Sequence, residues 1–476
     1  MKKICFSLLC LFLLSMSVAA QEQWNLERCI REALTKSLTI KQANLMKKGS
    51  EIEGKRLRME HLPNLNANTN LGVSFGRVIN PVTNLFETEN SFYQSIGVTT
   101  GLMLFNGFRL NNSIRQNNFQ TEASDDDIRQ AENDLALNVA LAYLNVLFAY
   151  ENIEIANSRV ELTRHQLDNL DKMIAAGTKP ENDRFDIQAQ IAIDEQGIVT
   201  AQNNIDNNLL VLKQQMLMEA DFPLVIERPS LDVSQLEALE NESFETVYSA
   251  ALASQPNIQA AELREKANDL GVSIARSQMI PSLSIGGNLG TNWSDLEKTP
   301  GTYITQRITQ PGVYINGQQT LFEVENSIPT TFNPISYGTQ LDNNIGYGFG
   351  LTLSVPIFNN YSAKAAVENA KINVINAAIS TDLVKQTLKT NIQNALTSAK
   401  ASKKSLQAAE ASSLAANVAL KNADRLAEIG SLNNFEYLSA RNRSDTAQLN
   451  ELIARYDYYF KIKVIEYYMG RGIKLN

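Results

Sequence analysis

Few residues in this chain could do chemistry. Histidine occurs only as His61 and His165, far apart and with no cysteine nearby, so a zinc site is not expected. Cys5 and Cys10 lie in a leading apolar segment expected to be cut away, which leaves Cys29 without a partner for an internal disulfide. Gly346, Gly348 and Gly350 imitate a phosphate-cradling loop, but they alternate with Tyr347 and Phe349, the rhythm of one strand face, and no phosphate-loop lysine motif is present. The chain reads as non-enzymatic, with no cofactor and no metal. What remains are carboxylates beside two glycine turns: Asp183 and Asp186 after Gly177-Thr178, and Glu436 after Gly430-Ser431. Acids at helix starts can simply complement the helix dipole, worth about 0.3 to 1 kcal/mol each.

The amino terminus reads as a secretory signal over residues 1–20. Lys2 and Lys3 lead an apolar run from Phe6 to Leu14, with Val18 and Ala20 before the cut, so the mature chain is expected to begin at Gln21. The formal charge of −8 becomes more negative once that segment leaves, which disfavours nucleic acid as a partner. No later run reaches the roughly 18 apolar residues that a membrane helix needs, so a second meeting with a bilayer would fall to strands.

The elements that position the acids come in two copies. At an offset of 218, Asn25 aligns with Ser243, Ala33-Leu34 with Ala251-Leu252, Pro63 with Pro281 and Leu71-Gly72 with Leu289-Gly290. At an offset of 253, Phe105 aligns with Phe358, Ala142 with Ala395 and Gly177 with Gly430. The change of offset places a longer insert in the second copy, between Trp293 and Ile345, expected to be a loop over 294–344. The first repeat is expected over 21–230 and the second over 231–476. Each reads as helix, strand, loop, strand, very long helix, tight turn, helix.

Four stretches alternate with period 2: about 64–76, 92–105, 282–293 and 345–356. The last is the cleanest, with Tyr347, Phe349, Leu351 and Leu353 opposite Gly348, Gly350, Thr352 and Ser354. Half-buried strands of a soluble sandwich alternate in the same manner. Strand length, the signal segment and aromatic residues near the strand ends favour a membrane barrel, with Phe92, Tyr93 and Trp293 in one interfacial girdle and Phe105, Phe108, Phe358 and Tyr361 in the other.

From about 109 to 176 and from about 361 to 429 there is neither proline nor glycine, which predicts two helices near 100 Å long at 1.5 Å per residue. Leu135, Val139, Ala142, Val146, Ala149 and Ile153 recur in steps of four and three, and Ile392, Ala395, Ala399, Ser402 and Leu406 repeat them. A sustained 3.5-residue period is a coiled-coil seam. Opening and return helices of about 38 residues would stack end to end beside each long helix. Four strands cannot close a barrel, and an open strand edge in lipid costs several kcal/mol per unpaired amide, so oligomerisation is required.

These features resemble the TolC family of outer-membrane efflux channels. The likeness is carried by the twin opening helices, by Leu62-Pro63-Asn64-Leu65 and Ile280-Pro281-Ser282-Leu283, by Leu104-Phe105-Asn106-Gly107 and Pro356-Ile357-Phe358-Asn359-Asn360, and by the two glycine turns. It implies a mainly α chain with a small membrane β part, assembled as a homotrimer: a 12-stranded β-barrel in outer-membrane lipid, continued by a 12-helix α-barrel in the periplasm of a Gram-negative type envelope. It also implies a periplasmic adaptor (membrane fusion) protein meeting the tips at Gly177, Thr178, Gly430 and Ser431, and an inner-membrane transporter of RND, ABC or MFS type. The family's pore-narrowing acid falls on Asp183 and Glu436, and a second acid on Asp186, with Ser439 at the matching place in the other copy. The basic residue that often follows the second glycine by two is replaced here by Leu432. A periplasmic adaptor would carry one helical hairpin between soluble β domains, and a coiled-coil tether would need no alternating strands.

Overall fold

The computed structural model describes residues 23–79, 86–229, 242–315, 317–429 and 431–471. The expected signal segment, the repeat boundary at 230/231 and Gly430 lie outside the described residues. In chain order the first copy holds α1 (Leu26–Lys36), α2 (Leu38–Met59), β1 (Asn64–Ser74), β2 (Arg77–Ile79), β3 (Phe86–Thr88), β4 (Ser91–Phe105), α3 (Arg109–Ala175) and α4 (Asp183–Gln215). The second holds α5 (Phe244–Ser254), α6 (Pro256–Arg276), β5 (Ser282–Ser294), β6 (Lys298–Pro300), β7 (Tyr303–Ile315), β8 (Gln318–Pro329), β9 (Phe332–Pro334), α7 (Tyr337–Asn343), β10 (Gly346–Ser354), α8 (Ser362–Glu428) and α9 (Asn434–Tyr468). Both long helices, α3 and α8, are 67 residues, as their uninterrupted sequence predicts.

The opening helices depart from expectation, because each is broken once, at equivalent places. Ser37 (ψ 125°) separates α1 from α2, and Gln255 (ψ 117°) separates α5 from α6. Gln255 precedes Pro256, whose ring disfavours helical backbone in the residue before it. Ser37 does the work differently: its amide closes α1 on the Ala33 carbonyl while its hydroxyl accepts the Ile40 N–H at 3.3 Å and starts α2.

The chain forms two compact units. One draws on residues up to 51, on 119–267 and on 374 onward; the other on 52–118 and 268–373. In the first, helices of both copies share one core. Fully buried Tyr143 of α3 shares that core with Cys29, Val146, Leu212, Ile258, Ile392 and Ile462, and its hydroxyl donates to the Glu227 carbonyl at 2.6 Å. Desolvation pushes the Cys29 thiol up to about 12, so it is inert packing rather than a nucleophile. The seam residues Val139, Ala142, Val146, Ile392, Ala399 and Leu406 are all buried. Part of α3 is apolar enough on average to cross a membrane, although it is not an unbroken apolar run, and half of that stretch is buried in the protein.

The second unit holds a four-stranded antiparallel sheet in the order β1-β4-β5-β10. The insert is not the plain loop expected for 294–344. Strands β7 and β8 pair as a long hairpin, β6 and β9 pair at its base, and α7 returns the chain to the sheet. Buried Gln340 of α7 fastens that base: its Nε2 donates to the carbonyls of Ser294 (3.0 Å) and Ile335 (3.2 Å), and its Oε1 accepts the Ser294 N–H at 2.9 Å.

Candidate functional site

The strand register sorts the sheet into two faces. On one stand Leu65, Leu71, Val98, Leu289, Phe349 and Leu351; on the other stand Asn64, Asn68, Gly97, Gly101, Asn288 and Gly348. The apolar face is bare: Phe349 is 90% exposed, Tyr347 83% and Leu71 77%. A soluble sandwich would cover such a face with a second sheet, so that alternative fails. The polar face is built from asparagines leaning over glycines, and the amide of Gly101 donates to Asn64 Oδ1 at 2.7 Å.

The aromatic residues expected in two girdles divide differently. Phe92 shares the apolar face, but Tyr93 stands on the asparagine face, one residue on, with its ring over Gly72. The period-2 geometry of a strand requires this of adjacent residues. Trp293, half-buried, packs on Tyr337 of α7 with ring centroids 5.8 Å apart. A β-bulge after Met103 brings Phe105 opposite Leu283 on the apolar face, where plain alternation would have put Leu104. Phe105 then meets Phe108 edge-on at 5.4 Å, and Phe358 and Tyr361 are exposed. At both strand-to-helix junctions two consecutive residues are left-handed: Gly107 (φ 65°) and Phe108 (φ 63°) in the first copy, Asn360 (φ 53°) and Tyr361 (φ 67°) in the second. For aromatic side chains this is strained backbone.

The glycine-turn tips lie in the first unit. Gly177 takes φ 75°, its amide donating to the Ile174 carbonyl, and the Thr178 amide donates to the Met173 carbonyl at 3.0 Å. Ser431 donates to the Leu426 carbonyl at 2.9 Å, the same bond one repeat later. Asp183 and Asp186 fall in the first turn of α4 and Glu436 in the first turn of α9, where Asn433 Oδ1 accepts the Glu436 amide at 2.8 Å. Asp183 is half-buried; Asp186 and Glu436 are exposed. Asp183 lines a groove of about 680 Å³ with Lys179, Tyr437, Asp424 and Leu432. Lys179 Nζ donates to the Leu432 carbonyl at 3.4 Å, so a cation from the first tip reaches the place where the second tip lacks its own. Tyr437 is buried, its hydroxyl donating to Asp424 Oδ1 at 2.9 Å and accepting from Gln166. Burial, and then Asp424, holds that phenol above its usual range.

Farther along α9 lies a clasp that sequence reasoning missed. Arg441, 1% exposed, donates to Thr163 Oγ1 (2.6 Å), to the Arg159 carbonyl (2.8 Å) and to Asp194 Oδ2 (3.1 Å). Asp445 sits 3.3 Å from Arg159, its carboxyl raised by burial against the pull of Arg159 and Arg441. The second copy's return helix is thereby tied to both helices of the first copy's hairpin. A polar residue recurring at seam spacing, Tyr437, Arg441, Ser444 and Gln448, is the signal that could have shown it.

Comparison with known proteins agrees with this architecture. The family described as outer membrane efflux protein matches residues 29–216 and 247–462, one block per copy. Among solved structures, VceC of Vibrio cholerae is 15% identical with a TM-score of 0.72, covering 94% of this chain and 97% of that one. The CmeC outer membrane channel of Campylobacter jejuni is 19% identical (TM-score 0.70; 95% and 86% covered), and the open MtrE channel of Neisseria gonorrhoeae is 18% identical (TM-score 0.69; 95% and 90%). A search of curated protein sequences finds no match. The protein belongs to the outer membrane efflux protein family. Its place is the outer membrane and its role is that of an exit duct for efflux.

Proposed function

We propose that the chain works as one third of a homotrimer, a passive duct that carries out no catalytic step. Substrates reach it from an inner-membrane transporter through a periplasmic adaptor that docks on the tips around Gly177, Thr178, Gly430 and Ser431. Each repeat, 21–230 and 231–476, contributes two strands to a twelve-stranded barrel and one helical hairpin to the tube. The observation that carries this reading is the bare apolar face of the sheet, with Phe349 90% exposed, joined to two sheet edges that have no partner strand among the described residues. Lipid suits that face, and only neighbouring copies satisfy those edges in lipid.

Asp183, Asp186 and Glu436, tripled by symmetry, form an acidic constriction favouring cations, as charged rings do in other pores. The place of Asp183 in the tip groove and the exposure of Asp186 and Glu436 support it. Phe92, Phe105, Phe108, Phe358 and Tyr361 anchor the barrel at the lipid boundaries, while Tyr93 faces the lumen and Trp293 braces the insert. Step conductance in a planar bilayer, together with trimer migration that collapses on heating, tests the reading. A chain that shows neither is not a channel.

A further inference from the structure

Resting on the trimer reading, we propose that β10 of one subunit pairs with β1 of the next in a single register, with Gly350 opposite Asn70 and Ser354 opposite Asn66. Across one sheet the register runs straight: Asn64 lies opposite Gly101, Gly101 opposite Gly286, and Gly286 opposite Gly350. The strands alternate in direction through β1, β4, β5 and β10, so a following copy's β1 meets β10 antiparallel. A barrel cannot close on that straight line, because its strands must tilt. For twelve strands spaced about 4.8 Å apart, rising about 3.3 Å per residue and tilted about 35 to 45°, closure needs a slip of roughly 12 to 18 residues around the barrel, or about 4 to 6 per subunit. The slip must be even, since an odd one would turn the apolar face into the lumen. A slip in the opposite sense runs β10 off the end of β1. Gly350 therefore meets Asn68 or Asn70.

Side-chain chemistry separates the two. Wherever glycine faces asparagine inside this sheet, the carboxamide occupies the glycine's vacant side: a Cβ at Gly101, Gly97 or Gly348 would come within 3.4, 3.3 or 3.1 Å of Asn64, Asn68 or Asn288. Asn68 and Gly348 are thus already matched. Asn70 faces Ser95 and has no glycine of its own, and a Cβ at Gly350 would meet nothing within 4 Å. Setting Asn70 over Gly350 completes the pattern with the six-residue slip. On the lipid side the same register puts Leu71 beside Phe349 and Val73 beside Tyr347, cross-strand aromatic and aliphatic pairs of a favourable kind.

Cysteine pairs on the lumen face read the register directly. In a Cys29→Ser background, Ser354→Cys is combined in turn with Asn64→Cys, Asn66→Cys and Asn68→Cys, and the trimer is oxidised with copper phenanthroline. Opposed residues lie within the span of a disulfide, about 4.4 to 6.8 Å between Cα atoms, whereas diagonal neighbours lie about 7 to 8 Å apart. The Asn66→Cys pair is expected to give covalent dimers and trimers about tenfold faster than either other pair. Faster linkage through Asn64→Cys or Asn68→Cys, or no linkage in a chain that still migrates as a heat-sensitive trimer, overturns the register and leaves the trimer standing. A parent chain, with Cys29 intact, that forms no trimer removes the trimer reading and the seam together.

Discussion

Phe108 and Tyr361 occupy equivalent positions in the two halves of the chain; both hold left-handed backbone, at φ 63° and 67°, and the residues are 60% and 58% exposed. Bulky residues adopt that conformation at a cost of roughly 1 to 2 kcal/mol each. A strained, exposed aromatic kept at both strand-to-helix junctions fits an anchor better than a packing element. Phe108→Gly and Tyr361→Gly should therefore raise thermal stability in detergent by about 1 kcal/mol apiece, while lowering the fraction of chain recovered as outer-membrane trimer. Circular dichroism melting and membrane fractionation measure the two effects; stability that falls would show that the rings are core.

The Arg441 clasp should behave as a buried ion pair. Arg441→Met leaves Asp194 without its buried cation and Asp445 with Arg159 alone, and truncation of one partner costs about 3 to 5 kcal/mol. The double variant Arg441→Met with Asp194→Leu removes both charges and should recover most of that loss. Melting of the helical signal checks this, and equal damage in the single and double variants would assign the role of Arg441 to its volume.

Asp445 gives the clasp a pH signature. Its folded-state carboxyl is raised above the ordinary value, so the stability it contributes is present in acid and is lost as pH rises through the raised value. Relative to the parent, Asp445→Asn should gain stability as pH rises through the window that opens at the ordinary aspartate value, about 3.9. Melting midpoints across that window test the sign.

At the tips, Asp183→Asn combined with Glu436→Gln should raise single-channel conductance and weaken block by divalent cations. Unchanged traces would leave these acids as helix-dipole complements, each worth about 0.3 to 1 kcal/mol.

Much of this architecture is legible in the sequence because its patterns are long. Sixty-seven-residue helices and a strand such as Gly346–Ser354 repeat their period often enough to exclude rivals. The helix break at Gln255 is announced by Pro256, but the one at Ser37 depends on which way a hydroxyl turns, and serine alone does not say. The hairpin in the insert carries its own sign, Asn316-Gly317 between alternating strands, which a polar composition conceals. Tyr93 and Phe105 illustrate the finer limit: adjacency sends Tyr93 to the asparagine face, while one bulge turns Phe105 to the apolar face. The clasp at Arg441 needs three helices brought together, and its polar residues resemble a solvated face until they meet.

The most direct test of the central claim is the behaviour of the purified mature chain with and without detergent, followed by planar-bilayer recording. The bare face of Leu71, Tyr347 and Phe349 predicts a detergent-dependent trimer that inserts with discrete conductance steps. A monomer that stays dissolved in plain buffer and never conducts would contradict it.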